Sequence, residues 1–235
     1  PYDRPNLSKD FLAGTAPEEW IPLRDEQFYR DNEIELRLGT RATHIDAARK
    51  RLVLASGEEL PWGALPLATG SEPVRLEVPG AAHIAYLRTL ADSRAIIRRA
   101  EGAKQAVVLG ASFIGLEVAA ALRTRGVDVT VVGRDEVLFA RTFGPEVGSF
   151  LRALHEEHGV SFRLKETVSE VRPTSVVLSG GELLPADLVV AGIGVRPSVS
   201  IAESCGATID KGVVVDEYLE TSIPGIFAAG DIARW

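Results

Sequence analysis

The sequence predicts an α/β fold containing two three-layer, Rossmann-like dinucleotide-binding domains, and three observations carry that prediction. Residues 106–120, AVVLGASFIGLEVAA, run from an apolar strand through a glycine turn into an apolar helix, which is how a dinucleotide-binding βαβ unit opens. A second apolar run, Val127, Val129, Val131 and Val132, follows Gly126 and ends about 20 residues beyond Gly110, where such a unit places its ribose-reading residue. Each half of the chain also closes with short antiparallel strands and then an apolar strand that runs out at glycine, ATG at 68–70 and AGIG at 191–194. Weak internal repetition of this kind predicts two related domains.

The elements follow in order. Residues 17–31 predict a short helical or irregular segment, and the alternation in EIELRL (33–38) predicts a strand. Strands at 42–46 and 51–55 are expected around the turn AARK, with the apolar strand ALPLA (64–68) after a further turn at SGEE. ATGSEP and VPG, within 68–80, mark a linker. From residue 91 the pattern becomes helix, strand, glycine turn, helix, strand. Val147, Phe150, Leu151 and Leu154 fall at i, i+3, i+4 and i+7, predicting an amphipathic helix over 145–158 stopped by Gly159. A second meander is expected at 161–184, then an apolar strand at 187–194. Residues 212–233 end in an apolar strand leading to Gly230 and Asp231, where an acid beside a glycine can accept hydrogen bonds from sugar or ribityl hydroxyls.

A chain of 235 residues, 46% hydrophobic and 25% charged, is long enough for two cores. No segment reaches the ~18 consecutive apolar residues of a membrane span. Residues 1–20 carry Asp3, Lys9, Asp10, Glu18 and Glu19 and so lack the apolar centre of a signal peptide. A net charge of −7 argues against nucleic acid as a partner. The single cysteine, Cys205, leaves no intrachain disulfide and no C-x-x-C pair, so a reducing cytoplasm is the expected compartment. The chain starts at Pro1, contains no Met and opens as if inside a domain, which predicts a piece of something larger.

The chemistry is expected at the glycine turn. Gly110 permits the tight turn and Gly115 lets the helix press on the strand. The amides at the helix start, around Phe113 and Ile114, would face a pyrophosphate with the helix dipole behind them. Ser112 stands where a strict fingerprint has glycine, crowding the phosphates slightly while offering a hydroxyl donor. Gly192 and Gly194, which end the later apolar strand, join the same nicotinamide-side set. The ribose-reading position is Gly133. Arg134 comes next and Arg141 seven residues on, so two guanidiniums are placed for a 2′-phosphate, while Asp135 or Glu136 could restore the ribose contact. NADH and NADPH both remain open. His155 and His158 lack the spacing of a metal-binding H-E-x-x-H and read as exposed helix positions. Cys205 reads as a half-buried structural thiol, and Arg49, Lys50 and Arg51 as a solvated hairpin tip.

Three separated segments, PYDRPNLSK (1–9), GASFIGLE (110–117) and TSIPGIFAAGDIA (221–233), resemble the FAD-dependent pyridine-nucleotide reductases of the ferredoxin-reductase and apoptosis-inducing-factor branch. APEEWIPLR (16–24) and GDIARW (230–235) look like bacterial members associated with a Rieske iron–sulfur domain. The resemblance implies an FAD-binding domain at 1–87 and 199–235 with an NAD(P)H-binding domain, 88–198, inserted in it. It also implies a flavin-side glycine fingerprint and a C-terminal domain, through which a homodimer would form, both outside this sequence. Flavin contacts are implied at Arg4, Pro5, Lys9, Ala42, Ala68, Thr69, Gly70, Arg88, Gly230 and Asp231. Lys9 and Glu117 are implied to meet as a buried catalytic ion pair beside the flavin ring, on the face where nicotinamide lands, so that Glu117 also counts among the nicotinamide-side residues; disrupting the pair would cost ~3–5 kcal/mol. The implied reaction is hydride transfer from NADH or NADPH to FAD, then single-electron delivery to a ferredoxin or Rieske partner. Residues 1–12 contain no cysteine, so electrons would leave from the flavin directly. A second reading is a flavin-bound, NADH-sensing interaction protein like apoptosis-inducing factor.

Overall fold

The apolar runs flanking the glycine turn become neighbouring parallel strands. The computed structural model describes residues 1–235, and its contacts divide the chain into one unit of residues 1–25 with 73–194 and another of 26–72 with 195–235. By contacts, therefore, residues 73–194 are inserted within the second unit, and residues 1–25 pack with the insert.

The first unit runs β1 (Ile84–Tyr86), α1 (Leu90–Ala100), β2 (Gln105–Leu109), α2 (Phe113–Thr124), β3 (Asp128–Gly133), α3 (Pro145–Glu157) and β4 (Val160–Leu164). An antiparallel meander follows, β5 (Val168–Arg172), β6 (Ser175–Leu178) and β7 (Leu183–Pro185), before β8 (Leu188–Ala191). The main sheet has the order β1-β8-β2-β3-β4 and every pairing in it is parallel. Its strands are covered on both faces, which is why they read as continuous apolar runs. Val108 and Val190 face the helical layer, whereas Val107 and Val189 face the meander. The strand order reverses between β2 and β8, the switch point at which open α/β sheets place ligands.

Residues 1–25 lie on the helical layer. Leu7, Phe11, Leu12 and Ile21 join the core that contains Leu116, Ala119 and Leu122 of α2. The Ser93 hydroxyl donates to the Leu7 carbonyl at 2.9 Å, and Arg125 Nε donates to the Leu12 carbonyl. In the second unit, Ala42–Asp46, Arg51–Leu54 and Glu59–Pro61 form a meander. Leu65–Leu67 pairs in parallel with Ile226–Ala228, and Val213–Val214 with Ala233–Arg234. Ile45, Leu67, Ala202, Val213, Ile226 and Ile232 form its core.

Three sequence expectations differ from the structure. Residues 33–38 form no strand: Glu33 takes φ +55°, no strand pairs with the segment, and Ile34, Leu36 and Leu38 stay exposed. Residues 160–164 belong to the parallel sheet rather than to the meander, because α3 returns the chain to the edge of β3. The helix at 145–157 is present, but Val147, Phe150 and Leu154 point outward. The close approach is made by Gly148 instead, where a Cβ would lie 1.9 Å from the Leu138 carbonyl oxygen. No helix is long and apolar enough to cross a membrane.

Candidate functional site

At the switch point three glycines pack against each other. A Cβ on Gly110, which takes φ +103°, would lie 2.4 Å from the Gly192 carbonyl oxygen, and one on Gly115 would lie 2.0 Å from that of Gly110. Only glycine permits this approach of β2, β8 and the start of α2. Ser112 is the N-cap of α2: its hydroxyl accepts from the Gly115 amide at 3.1 Å and donates to the Gly192 carbonyl at 2.6 Å. Its single proton is thus committed to β8, so the hydroxyl donor expected for a phosphate is turned to structure instead. The amides of Phe113 and Ile114 find no acceptor within the chain, as an anion-binding helix start requires. This cradle fits a dinucleotide pyrophosphate.

The Phe113 side chain is 54% exposed and stacks on Phe139, with centroids 4.4 Å apart. Phe143 meets both rings edge-on. Phe139 holds φ +51° to do so, a conformation an aromatic residue adopts at a cost of about 1 kcal/mol. The sequence reading included Phe113 and missed its two partners, whose spacing carries no periodic signal.

At the end of β3, Gly133 is buried and Arg134, Asp135 and Glu136 are exposed. Glu136 pairs with Lys165 at 2.7 Å, which occupies one of the two acids able to read a ribose. Arg134 and Arg141 are exposed and form no ion pair within the chain. Gly194 sits in open space at φ +112°, past the end of β8.

Lys9 and Glu117 meet, with Nζ 3.1 Å from Oε1. The pair is not buried: the Lys9 side chain is 49% exposed and that of Glu117 31%. Water therefore screens it, and breaking it costs about 1 kcal/mol or less in stability rather than the larger cost expected of a buried pair. Ser8, which the sequence reading passed over, donates from Oγ to Glu117 Oε2 at 2.5 Å. Arg4 lies over the ring of Tyr2, with Cζ 6.0 Å from the centroid, and Pro5 opens the 3₁₀ turn Pro5–Ser8. The amide of Arg88 donates to Asp92 Oδ2 at 3.1 Å, next to the capping box that Thr89 and Asp92 form at the head of α1.

In the second unit, Ser71, 1% exposed, donates its hydroxyl to Asp231 Oδ2 at 2.8 Å. Gly230 takes φ +74°, and a Cβ there would meet nothing within 4 Å. Ala68 and Thr69 are exposed, with the Thr69 hydroxyl donating to the Ser198 carbonyl at 2.7 Å, and Gly70 takes φ +68°. Ala42 begins its strand opposite Leu54. An oriented acid beside an open glycine fits a polyol. Cys205 is half-buried, its thiol donates to the Ala202 carbonyl at 3.1 Å, and burial pushes its pKa up. His155 is half-buried rather than exposed; burial first, and then the neighbouring His158, lowers its pKa.

A profile of pyridine nucleotide-disulphide oxidoreductases matches residues 1–235. The chain belongs to that family. Among its relatives, rhodocoxin reductase of Rhodococcus erythropolis is 38% identical across 100% of this chain and 57% of its own length. The ferredoxin–NAD(+) reductase component of the anthranilate 1,2-dioxygenase system of Burkholderia cepacia is 39% identical across 99% and 59%. Among solved structures, the covalent putidaredoxin reductase–putidaredoxin complex matches with TM-score 0.95 and 37% identity over 100% of this chain and 59% of its own. The chain thus spans a little under three-fifths of the length of these relatives. Within a family named for disulfides, this sequence has no second cysteine for Cys205 to pair with.

Proposed function

We propose that the protein is a flavoprotein reductase that takes hydride from NADH or NADPH onto FAD and passes single electrons to a ferredoxin- or Rieske-type iron–sulfur protein. The observation that carries this reading is the Lys9–Glu117 pair, whose carboxylate stands in the second turn of the helix that the dinucleotide cradle opens and which has no cysteine beside it. Relatives of this family described as reductases of rhodocoxin and of a dioxygenase ferredoxin support the acceptor class. Bound flavin would supply the two-electron to one-electron chemistry that no side chain here provides.

In this reading Gly110, Ser112, Phe113, Ile114, Gly115, Arg134, Arg141, Gly192 and Gly194 serve the nicotinamide dinucleotide. Arg4, Pro5, Ala42, Ala68, Thr69, Gly70, Arg88, Gly230 and Asp231 serve the flavin. Lys9 would offer a positive charge to the bound flavin, and Glu117 would keep that charge aimed. Residues 88–198 are assigned to the nicotinamide domain and 1–87 with 199–235 to the flavin domain, although residues 1–25 and 73–87 group by contacts with the former. The single unpaired thiol fits a reducing compartment such as the cytoplasm.

The test is the visible spectrum of the purified protein, followed by stopped-flow reduction with NADH and NADPH. A flavin spectrum, with reduction slowed in both Glu117→Ala and Lys9→Ala, is the expected result. Wild-type rates in both variants remove the pair from the mechanism. Fast turnover with a supplied ferredoxin separates a reductase from an NADH-sensing protein of the apoptosis-inducing-factor kind.

A further inference from the structure

Glu117 is held by two donors of unlike character. Lys9 supplies charge, but from a flexible stem that is half in water. Ser8 supplies direction: it is 7% exposed, and its backbone is fixed in the turn Pro5–Ser8 by Pro5 at the first position and by the fully buried Leu7. The Ser8 hydroxyl has one proton and two acceptors in reach, the Pro5 carbonyl at 3.3 Å and Glu117 Oε2 at 2.5 Å. The shorter, charge-assisted bond takes it. Lys9 Nζ also donates to the Pro5 carbonyl, at 3.2 Å. Hydrogen bonds therefore run from Ser8 to Glu117 and from Lys9 to Glu117 and to Pro5, the backbone of the Pro5–Ser8 turn joins the two ends, and each carboxylate oxygen has its own donor. An exposed Lys–Glu pair on its own fixes little, because both side chains can follow one another into solvent. Here one carboxylate oxygen is pinned from the buried side, so the other faces Lys9 in one orientation.

We propose that Ser8 is a positioning residue: by holding Glu117 Oε2 it sets where the Lys9 ammonium stands. The inference rests on the reading of Lys9 and Glu117 given above. Removing the hydroxyl leaves the charges in place and loosens their aim, so the hydride step suffers and nicotinamide binding does not. The test compares Ser8→Ala, Ser8→Thr and Ser93→Ala in the flavin-loaded protein. Ser93 is the control because its buried hydroxyl ties down the same N-terminal segment, at Leu7, without touching Glu117. Ser8→Ala is expected to lower the limiting rate of flavin reduction about tenfold with the NADH dissociation constant unchanged. Ser8→Thr, which keeps a hydroxyl, is expected to recover most of that loss, and Ser93→Ala to leave the rate at the wild-type value.

A second readout needs no turnover: the Glu117 carboxyl carbon resonance, recorded before any nicotinamide is added, is expected to move in Ser8→Ala and to stay in Ser93→Ala. Should Ser8→Ala fold poorly, Ser8→Cys, a near-isostere with a weaker donor, is expected to fall between Ala and wild type in both readouts. A wild-type reduction rate in Ser8→Ala, or an equal loss in Ser93→Ala, overturns the assignment. If Glu117→Gln also reduces at the wild-type rate, the ion-pair reading itself has failed. If Glu117→Gln is slow while Ser8→Ala is not, only the role of Ser8 has failed.

Discussion

The two units place glycines beside their candidate sites in opposite ways. In the first, Gly115 and Gly110 are there because nothing larger fits between β2, β8 and α2, and the continuous parallel sheet behind them cannot yield. In the second, Gly230 has open space around it and is required only by its backbone angle, on a frame of two short parallel strand pairs and a meander. A glycine can thus mark a site through contact or through conformation. The two cases differ in what a methyl group does to them.

The largest effect is expected at Gly115. A Cβ there would overlap the Gly110 carbonyl oxygen, so Gly115→Ala should lose more than ~3 kcal/mol in denaturant unfolding and most NAD(P)H binding. Unfolding within 1 kcal/mol of wild type would mean that α2 can lift off the strand at little cost. Next comes Asp231→Ala, which removes the acid that Ser71 orients; flavin affinity, followed by release on dilution, should fall at least about tenfold. Retention of flavin at wild-type affinity would detach Asp231 from the site.

Arg134 then sharpens the nicotinamide side. With Glu136 engaged by Lys165, discrimination between NADH and NADPH is expected to stay below about a hundredfold, and Arg134→Ala should cut kcat/KM for NADPH alone by about tenfold. A preference for NADH beyond about a thousandfold, unchanged in the variant, would show that Asp135 reads the ribose. Gly230→Ala, the counterpart of the first experiment, should cost only about 1 kcal/mol in unfolding, since φ +74° strains an alanine but nothing touches its methyl. The smallest effect concerns pH. His155 has a folded-state pKa below its ordinary 6.5, so its contribution is complete above that value and is lost as pH falls through the lowered one. The decline of Tm between pH 7 and pH 5 should be shallower in His155→Gln.

What the sequence made legible was local. The strand, glycine turn and helix at 106–120 could be read because contiguous residues form them, and Gly126 and Gly159 end α2 and α3 in the left-handed conformation that glycine signals. Apolar periodicity found α3 but assigned its buried face wrongly, since Phe150 points outward and Gly148 makes the contact. A stripe of side chains says nothing about which backbone comes close. EIELRL alternates as a strand does, yet a strand needs a partner, and pairing is not written in one segment. Ser8, Ser71 and Lys165 escaped for the same reason. Each matters through a neighbour distant in sequence, and small polar residues and lysines carry no periodic signal. Lys9 and Glu117 were found through the LSK and GLE motifs, but their exposure was not, because burial depends on what surrounds the pair.

The packing of residues 1–25 on α2 has a consequence for synthesis. Leu7, Phe11, Leu12 and Ile21 emerge from the ribosome about a hundred residues before the helix they cover, and Ser8 is separated from Glu117 by 109 positions. At roughly 5–20 residues per second, those side chains wait several seconds or longer before the α2 surface they bury against has been made. The segment that aims the ion pair is therefore also a nascent-chain liability, made well before the helix it docks on, and a holdase that binds short apolar stretches would find its target there.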